Sequence, residues 1–350
     1  MLLIPVCSFL ITIALTLVFR RVAVGFGFLD HPNSRKFHKA PTPLMGGAAI
    51  FLGFWITIGA GLFLTKQFPF LVPQFLRGFI PGVWIRMPWI MAIFVGALVI
   101  SGVGLWDDKK VIGPYKKLLY QLIVAIFLVF SGVRVRMFLP EYLSYIISVI
   151  WIVAITNAFN LLDNMDGVSA GIAFVCSFLF LISAVLMSNY FVAVFLLAFM
   201  GALAGFLVLN FHPASIFMGD CGSLFIGFIM SIVGILGTYY GADSPTLYPV
   251  VTPLLILAVP LFDIFSVMAI RIRRGVSIFA ADKNHFSHRL VDIGMNVRTA
   301  AVFLYIVTFC VGLPSVLLPL LPAKGVMIVF VQTLGVMSII GILEYYGKKR

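Results

Sequence analysis

Uncharged apolar stretches recur from one end of this chain to the other, each of about 20 residues, the length a helix needs to cross a hydrocarbon core of roughly 30 Å. Eleven are read, at 2–19, 44–65, 87–106, 118–133, 142–160, 168–187, 190–209, 222–242, 249–270, 299–321 and 325–345. The run from Gly167 carries no charge before Asp220 and divides at Ser188 and Asn189 into a helical hairpin. Residues 2–19 have no basic flank ahead of them, and Arg20 and Arg21 follow instead, so they read as a retained first helix rather than a secretion signal. With 62% of residues hydrophobic and 10% charged, a water-soluble domain is excluded. The expected fold is all-α: a polytopic integral membrane protein of about eleven transmembrane helices, forming one domain over 1–350.

Basic residues set the orientation. Alternate connecting segments, together with the C-terminus, hold 18 of the 24 Lys and Arg. That places the N-terminus outside and the tail Lys348, Lys349, Arg350 in the cytoplasm. The net charge of +12 then reflects topology and contact with anionic membrane lipids, not nucleic-acid binding. Cys7, Cys176, Cys221 and Cys310 show no paired spacing, so neither a disulfide frame nor a zinc site is expected.

The twelve acids are distributed unevenly. Eight fall in the segments read as cytoplasmic: Asp30, Asp107, Asp108, Asp163, Asp166, Asp220, Asp282 and Asp292. All five histidines, His31, His38, His212, His285 and His288, fall there too. Acids contribute little to orientation, so this one-sidedness points to a site built from inner-face loops. Asp107 and Asp108 end a helix side by side, where the helix dipole and their mutual repulsion both disfavour them; such a pair calls for a cation. Asp163 and Asp166 would share a face if their helix continued past Asn160, and Asp220 reads as an N-cap. With Asn157 and Asn160, these are hard oxygen donors of the kind Mg²⁺ takes, Mn²⁺ being the alternative. Arg35, Lys36, Lys39, Lys116, Lys117, His285, His288 and Arg289 are cations suited to anionic substrates. Acids for a metal beside bases for phosphates describe metal-dependent phosphoryl transfer at a membrane surface.

At these residues the chain resembles the polyprenyl-phosphate N-acetylhexosamine-1-phosphate transferases, which start peptidoglycan, O-antigen and teichoic-acid assembly. The matching motifs, in order, are DHPNSRKFHKAPTPLMGG (30–47), GLWDDKK with KLLYQ (104–121), NAFNLLDNMDG (157–167), NFHPASIFMGDCGS (210–223) and DKNHFSHRL (282–290). The resemblance implies a bacterial inner-membrane enzyme whose site faces the cytoplasm. It would join a sugar 1-phosphate from a UDP-N-acetylhexosamine to undecaprenyl phosphate and release UMP. It further implies that Asp107, Asp108, Asp163 and Asp166 serve catalysis, Asp107 as base or charge partner of the lipid phosphate. Asn160 and Asp220 would hold Mg²⁺. Lys39, Asp163, Asp166, Asn210 and Phe217 would surround the nucleotide, with Phe217 able to stack on uracil. Lys117, His285, His288 and Arg289 would neutralise phosphates or contact the sugar.

Two positions depart from the family pattern: Asn164, where many relatives have Gly, and Ser287, where the O-antigen and teichoic-acid type has a histidine. The last motif otherwise follows that type, so transfer of N-acetylglucosamine 1-phosphate is preferred to the muramoyl-pentapeptide reaction. A secondary transporter is the reading from another class, disfavoured because the acids gather at one interface and not at mid-membrane. Asp263, the one acid well inside a helix, is left outside the core site, and His212 reads as a turn residue. Gly46, Gly47 and Gly167 are read as allowing close backbone approach, and Pro253 with Pro260 as bending their helix, which could open a groove for the prenyl tail. The sequence admits a homodimer without specifying one.

Overall fold

The computed structural model describes residues 3–32, 40–72, 74–136, 140–237, 239, 248–277, 279 and 284–347. The chain enters through α1 (Leu3–Phe26), a two-residue ladder of β1 (Leu29–Asp30) with β2 (Thr42–Pro43), and α2 (Gly46–Gln67). Two short helices, α3 (Gln74–Arg77) and α4 (Ile80–Ile85), lead to α5 (Met87–Lys109), α6 (Pro114–Phe130) and α7 (Glu141–Leu162). Then come α8 (Val168–Leu186), α9 (Tyr190–Asn210), α10 (Gly219–Leu236), α11 (Thr252–Ile256) and α12 (Ala258–Arg273). The short α13 (Phe286–Asp292) precedes α14 (Val297–Val316) and α15 (Ala323–Gly347).

Among the described residues, nine helices are long and apolar enough to cross a membrane. The segments expected at 118–133 and 249–270 are also helical, but α6 has 17 residues and the second is broken at Leu257 between α11 and α12. The bend expected from Pro253 and Pro260 is therefore present. The hairpin division at Ser188 and Asn189 is found as well: Ser188 takes a positive φ of 54°, and Asn189 caps α9 by accepting from the Val192 N–H. The β1–β2 ladder is a small departure from a purely helical chain.

Burial is inverted relative to a soluble bundle. On α1 the buried residues are Ser8, Thr12, Thr16 and Ala23, while Leu3, Val6, Leu10 and Val18 are exposed. Small residues let helix backbones approach in lipid, and Ser8 Oγ donates to the Ala198 carbonyl of α9 at 2.6 Å. At the centre lies α10, with 15 of its 18 residues buried, packed against α5 on one side and α7 on another. A ring cluster of Phe54, Phe195, Phe199 and Phe225 fills the space among α2, α9 and α10, with centroids 4.8 to 6.1 Å apart.

The N-terminal end of α10 is where distant segments meet. The Phe217 N–H donates to Pro43 (2.8 Å), while the N–H groups of Gly46 and Gly47 donate to the carbonyls of Phe217 (3.0 Å) and Met218 (2.9 Å). A Cβ on Gly47 would lie 2.7 Å from the Cys221 carbonyl carbon, so glycine is required for this seam. Gly47→Ala should destabilise the fold by about 1–3 kcal/mol, as overpacking does. An unchanged thermal midpoint in detergent would contradict this.

Candidate active site

The site begins with a helix end answering another helix end. Asp108 lies in the last turn of α5, where its charge faces the negative pole of its own helix. The N-terminus of α10 offers the opposite pole and unsatisfied N–H groups. Asp108 Oδ1 accepts the Asp220 N–H at 2.7 Å, and Oδ2 accepts the Cys221 N–H at 3.1 Å. Gly219, at φ +67°, makes room for the carboxylate: a Cβ there would stand 2.7 Å from Asp108 Cγ. This corrects the N-cap reading of Asp220. The helix starts at Gly219, and Asp220, in its first turn, is free to project its carboxylate elsewhere while Asp108 satisfies the backbone.

That carboxylate meets three other segments. Gly113, at φ +82°, and Pro114 break the chain after α5 and start α6, which returns Lys117 to the end of α5. Lys117 Nζ donates to Asp107 Oδ2 at 3.0 Å and also pairs with Asp220 Oδ2. The other Asp107 oxygen accepts the Ile112 N–H at 2.7 Å. From the last turn of α7, Asn160 Nδ2 donates to Asp220 Oδ1 (3.1 Å) and Ser223 Oγ (2.8 Å). Asp107, Asp108, Lys117, Asn160 and Asp220 thus come together from four helices.

Asp163 and Asp166 do not share a helix face, because α7 ends at Leu162 and Asp163 is its C-cap. Among the described residues, no hydrogen-bond donor reaches the Asp163 carboxylate. Burial, then the charges of Asp220, Asp108, Asp166 and Asp30, push its carboxyl well above the usual carboxylate range. Asp166 turns away to a different partner: its Oδ2 lies 2.7 Å from His212 Nδ1 and accepts the Ala214 N–H at 3.0 Å. His212 is therefore tied to a carboxylate as well as standing in a turn. Asn210 is buried and uses both ends of its amide on backbone, accepting the Gly167 N–H (3.1 Å) and donating to the Ile216 carbonyl (2.9 Å). It staples the 163–167 loop to the 211–216 loop, and Phe217 contributes its main chain to the seam with β2. Asn157, read from sequence among the oxygen donors, instead donates to Gln121 Oε1 at 2.5 Å.

The last motif forms α13, on which His285, Ser287, His288 and Arg289 are buried. The rings of His285 and His288 are 6.3 Å apart, and Arg289 Nη2 donates to Ser266 Oγ at 2.9 Å. The two departures from the family pattern touch: Ser287 Oγ donates to Asn164 Oδ1 at 2.5 Å, which fastens α13 to the loop carrying Asp163. Lys39 and Asp282 lie outside the described residues. Sequence reasoning passed over two contributors. Gln121 could have been found as a lone buried amide in a predicted span, and Asp263, which reaches His285, as the lone acid at depth.

Two outcomes test this geometry. Asp163→Asn should stabilise the protein as pH rises from about 4, the ordinary carboxylate value. A carboxyl whose folded pKa is raised favours the folded state below its unfolded pKa and loses that contribution as it ionises. A variant that melts with wild type across the whole range would contradict the crowding of charge. For Asn164 and Ser287, single and double alanine variants should show a coupling of about 1 kcal/mol in thermal stability, and strict additivity would deny the bond.

Residues 90–238 match the model of glycosyl transferase family 4. Over 322 residues the chain is 34% identical to the probable undecaprenyl-phosphate N-acetylglucosaminyl 1-phosphate transferase of Bacillus subtilis (strain 168), covering 89% of this chain and 83% of the relative. It is 33% identical over 314 residues to the decaprenyl-phosphate N-acetylglucosaminephosphotransferase of Mycobacterium tuberculosis (strain ATCC 25618 / H37Rv), covering 82% and 74%. The undecaprenyl-phosphate alpha-N-acetylglucosaminyl 1-phosphate transferase of Escherichia coli (strain K12) is 28% identical over 318 residues, covering 85% and 78%. The family model spans the second, third and fourth motifs, and the helix ends that carry them are the ones that meet around Asp220. The chain belongs to glycosyl transferase family 4, the polyprenyl-phosphate N-acetylhexosamine-1-phosphate transferases.

Proposed function

We propose that this protein transfers N-acetylglucosamine 1-phosphate from UDP-N-acetylglucosamine to undecaprenyl phosphate at the cytoplasmic face of a bacterial inner membrane, releasing UMP. The observation that carries the reading is the meeting of Asp107, Lys117, Asn160 and Asp220 at the Asp108-capped end of α10. The names of the relatives support the sugar and the lipid acceptor, and do not favour the muramoyl-pentapeptide reaction. The apolar stretches support eleven crossings, and the placement of Lys and Arg supports an outside N-terminus with these loops in the cytoplasm.

In the reaction a lipid-phosphate oxygen attacks the phosphorus bound to the sugar, and the bond to the UMP oxygen breaks. Both reactants are anionic, so the barrier is largely electrostatic. Lys117 is placed to release its carboxylate partners and neutralise an incoming phosphate. Asp108, with both oxygens on backbone N–H groups, keeps Asp220 and α10 in place. Arg289 supplies positive charge from the α13 segment, and His285 and His288 bring ring nitrogens beside it. Asp107, beside Lys117, is the carboxylate placed to partner the lipid phosphate. We favour direct displacement over a covalent aspartyl intermediate.

The donor set suits Mg²⁺, with Mn²⁺ as the alternative. Among the described residues no three His, Cys, Asp or Glu side chains converge to enclose a metal. Mg²⁺ commonly takes only one or two protein carboxylates and completes its shell with water and substrate phosphates. Asp220 and Asn160 would hold it, with the Asp163 carboxyl nearby. The ion would neutralise charge on the pyrophosphate.

Purified protein given Mg²⁺, undecaprenyl phosphate and a panel of UDP-sugars should release UMP with UDP-N-acetylglucosamine. A lipid product from another sugar alone would change the substrate, and no product from any would overturn the reading. Asp108→Asn and Asp220→Asn should each lower turnover by about two orders of magnitude or more, as loss of a key electrostatic group does. Near-normal rates in both would contradict the assignment.

A further inference from the structure

Asp263 lies fully buried in α12. A carboxyl in such surroundings calls for a specific partner. Both of its oxygens are spent on the segment that opens α13: Oδ2 lies 2.9 Å from His285 Nδ1, and Oδ1 accepts the Phe286 N–H at 2.6 Å. A carboxylate accepting from both satisfies every group. It places the imidazole proton on Nδ1 and leaves Nε2 on the opposite side of the ring.

Neighbouring contacts hold the same geometry. Ser266, three residues on, donates to the Asp263 carbonyl (3.1 Å) and accepts from Arg289 Nη2 (2.9 Å). The Phe262 ring packs edge-on against Phe286 at 5.5 Å, and the Arg289 guanidinium sits 5.8 Å from both rings. One turn of α12 therefore grips His285, Phe286 and Arg289, while Asn164 holds Ser287 from the side of the Asp163 loop.

We propose that Asp263 is a positioning residue for the transfer reaction. It fixes His285 with Nδ1 donating to the carboxylate and Nε2 turned to the reactants, where Nε2 can take a proton from a phosphate oxygen and return it. The inference rests on the proposed function in placing His285 at the reactants; the pairing itself is independent of it. Among carboxyl replacements, Asp263→Asn keeps the shape but cannot accept from both donors, so the ring proton is expected to move to Nε2.

The test is ¹⁵N NMR of histidine-labelled protein at pH 8, with His285 assigned among the five histidines by its loss in His285→Gln. Nδ1 of His285 should be protonated in wild type and unprotonated in Asp263→Asn. An unprotonated Nδ1 in wild type overturns the pairing, even if the variant does not fold. Kinetically, Asp263→Asn and His285→Gln should each lower kcat/KM by about tenfold or more, and the double variant by no more than the larger single loss. Losses that multiply would mean that Asp263 acts apart from His285, and a normal Asp263→Asn beside a crippled His285→Gln would also sink the positioning role. Full activity in His285→Gln would instead remove His285 from the reaction, and only the structural pairing, judged by the spectrum, would stand.

Discussion

A carboxylate at the negative end of one helix caps the positive end of another, and the rest of the site depends on that contact. Separately, Asp108 at the end of α5 and the bare N–H groups opening α10 would each be costly in an environment with little water. Together they satisfy one another through two charge-assisted hydrogen bonds, each worth roughly 1.5–3 kcal/mol. Because the backbone of α10 is capped from outside, the Asp220 side chain is released for Lys117 and Asn160. Glycines make the junction sterically feasible: Gly219 accommodates the carboxylate, and Gly47 lets β2 and the start of α2 close against the same helix end.

From that junction the site divides into a negative half and a positive half. Lys117 pairs with Asp107 and Asp220, while Asp163 is raised by burial and by the charges of Asp220, Asp108, Asp166 and Asp30. Across the 163–167 loop, α13 carries His285, His288 and Arg289. The proposed reaction, with two anionic reactants and a divalent ion, would use both: oxygens to share the ion, and positive groups to offset the phosphates it does not reach. Asn210, Asp166 and His212 tie the 163–167 and 211–216 loops to each other, and the Ser287–Asn164 bond joins the first of these loops to α13.

The helices were legible because hydrophobic length and scarce charge leave few alternatives, and the motifs were legible because acids cost too much in this chain to be placed idly. Partners were not. Nothing in the local sequence says that Asp108 will bond to a backbone 112 residues away, or that Asp166 will choose His212 over the cluster around Asp220. Periodicity also misled: the helix that would have set Asp163 and Asp166 on one face stops at Leu162, where the chain turns through Gly167 at φ +73°. The departures at Asn164 and Ser287 looked independent because they are 123 residues apart, and became one feature only when the fold brought them into contact.

In the proposed function these helix ends hold a divalent ion together with the nucleotide's phosphates. Electron–nuclear double resonance with Mn²⁺ as probe addresses it directly. With UDP-N-acetylglucosamine present, the account predicts ³¹P coupling to protein-bound Mn²⁺, weakened or lost in Asp220→Asn. Protein-bound Mn²⁺ with the same ³¹P coupling in wild type and in Asp220→Asn would contradict it.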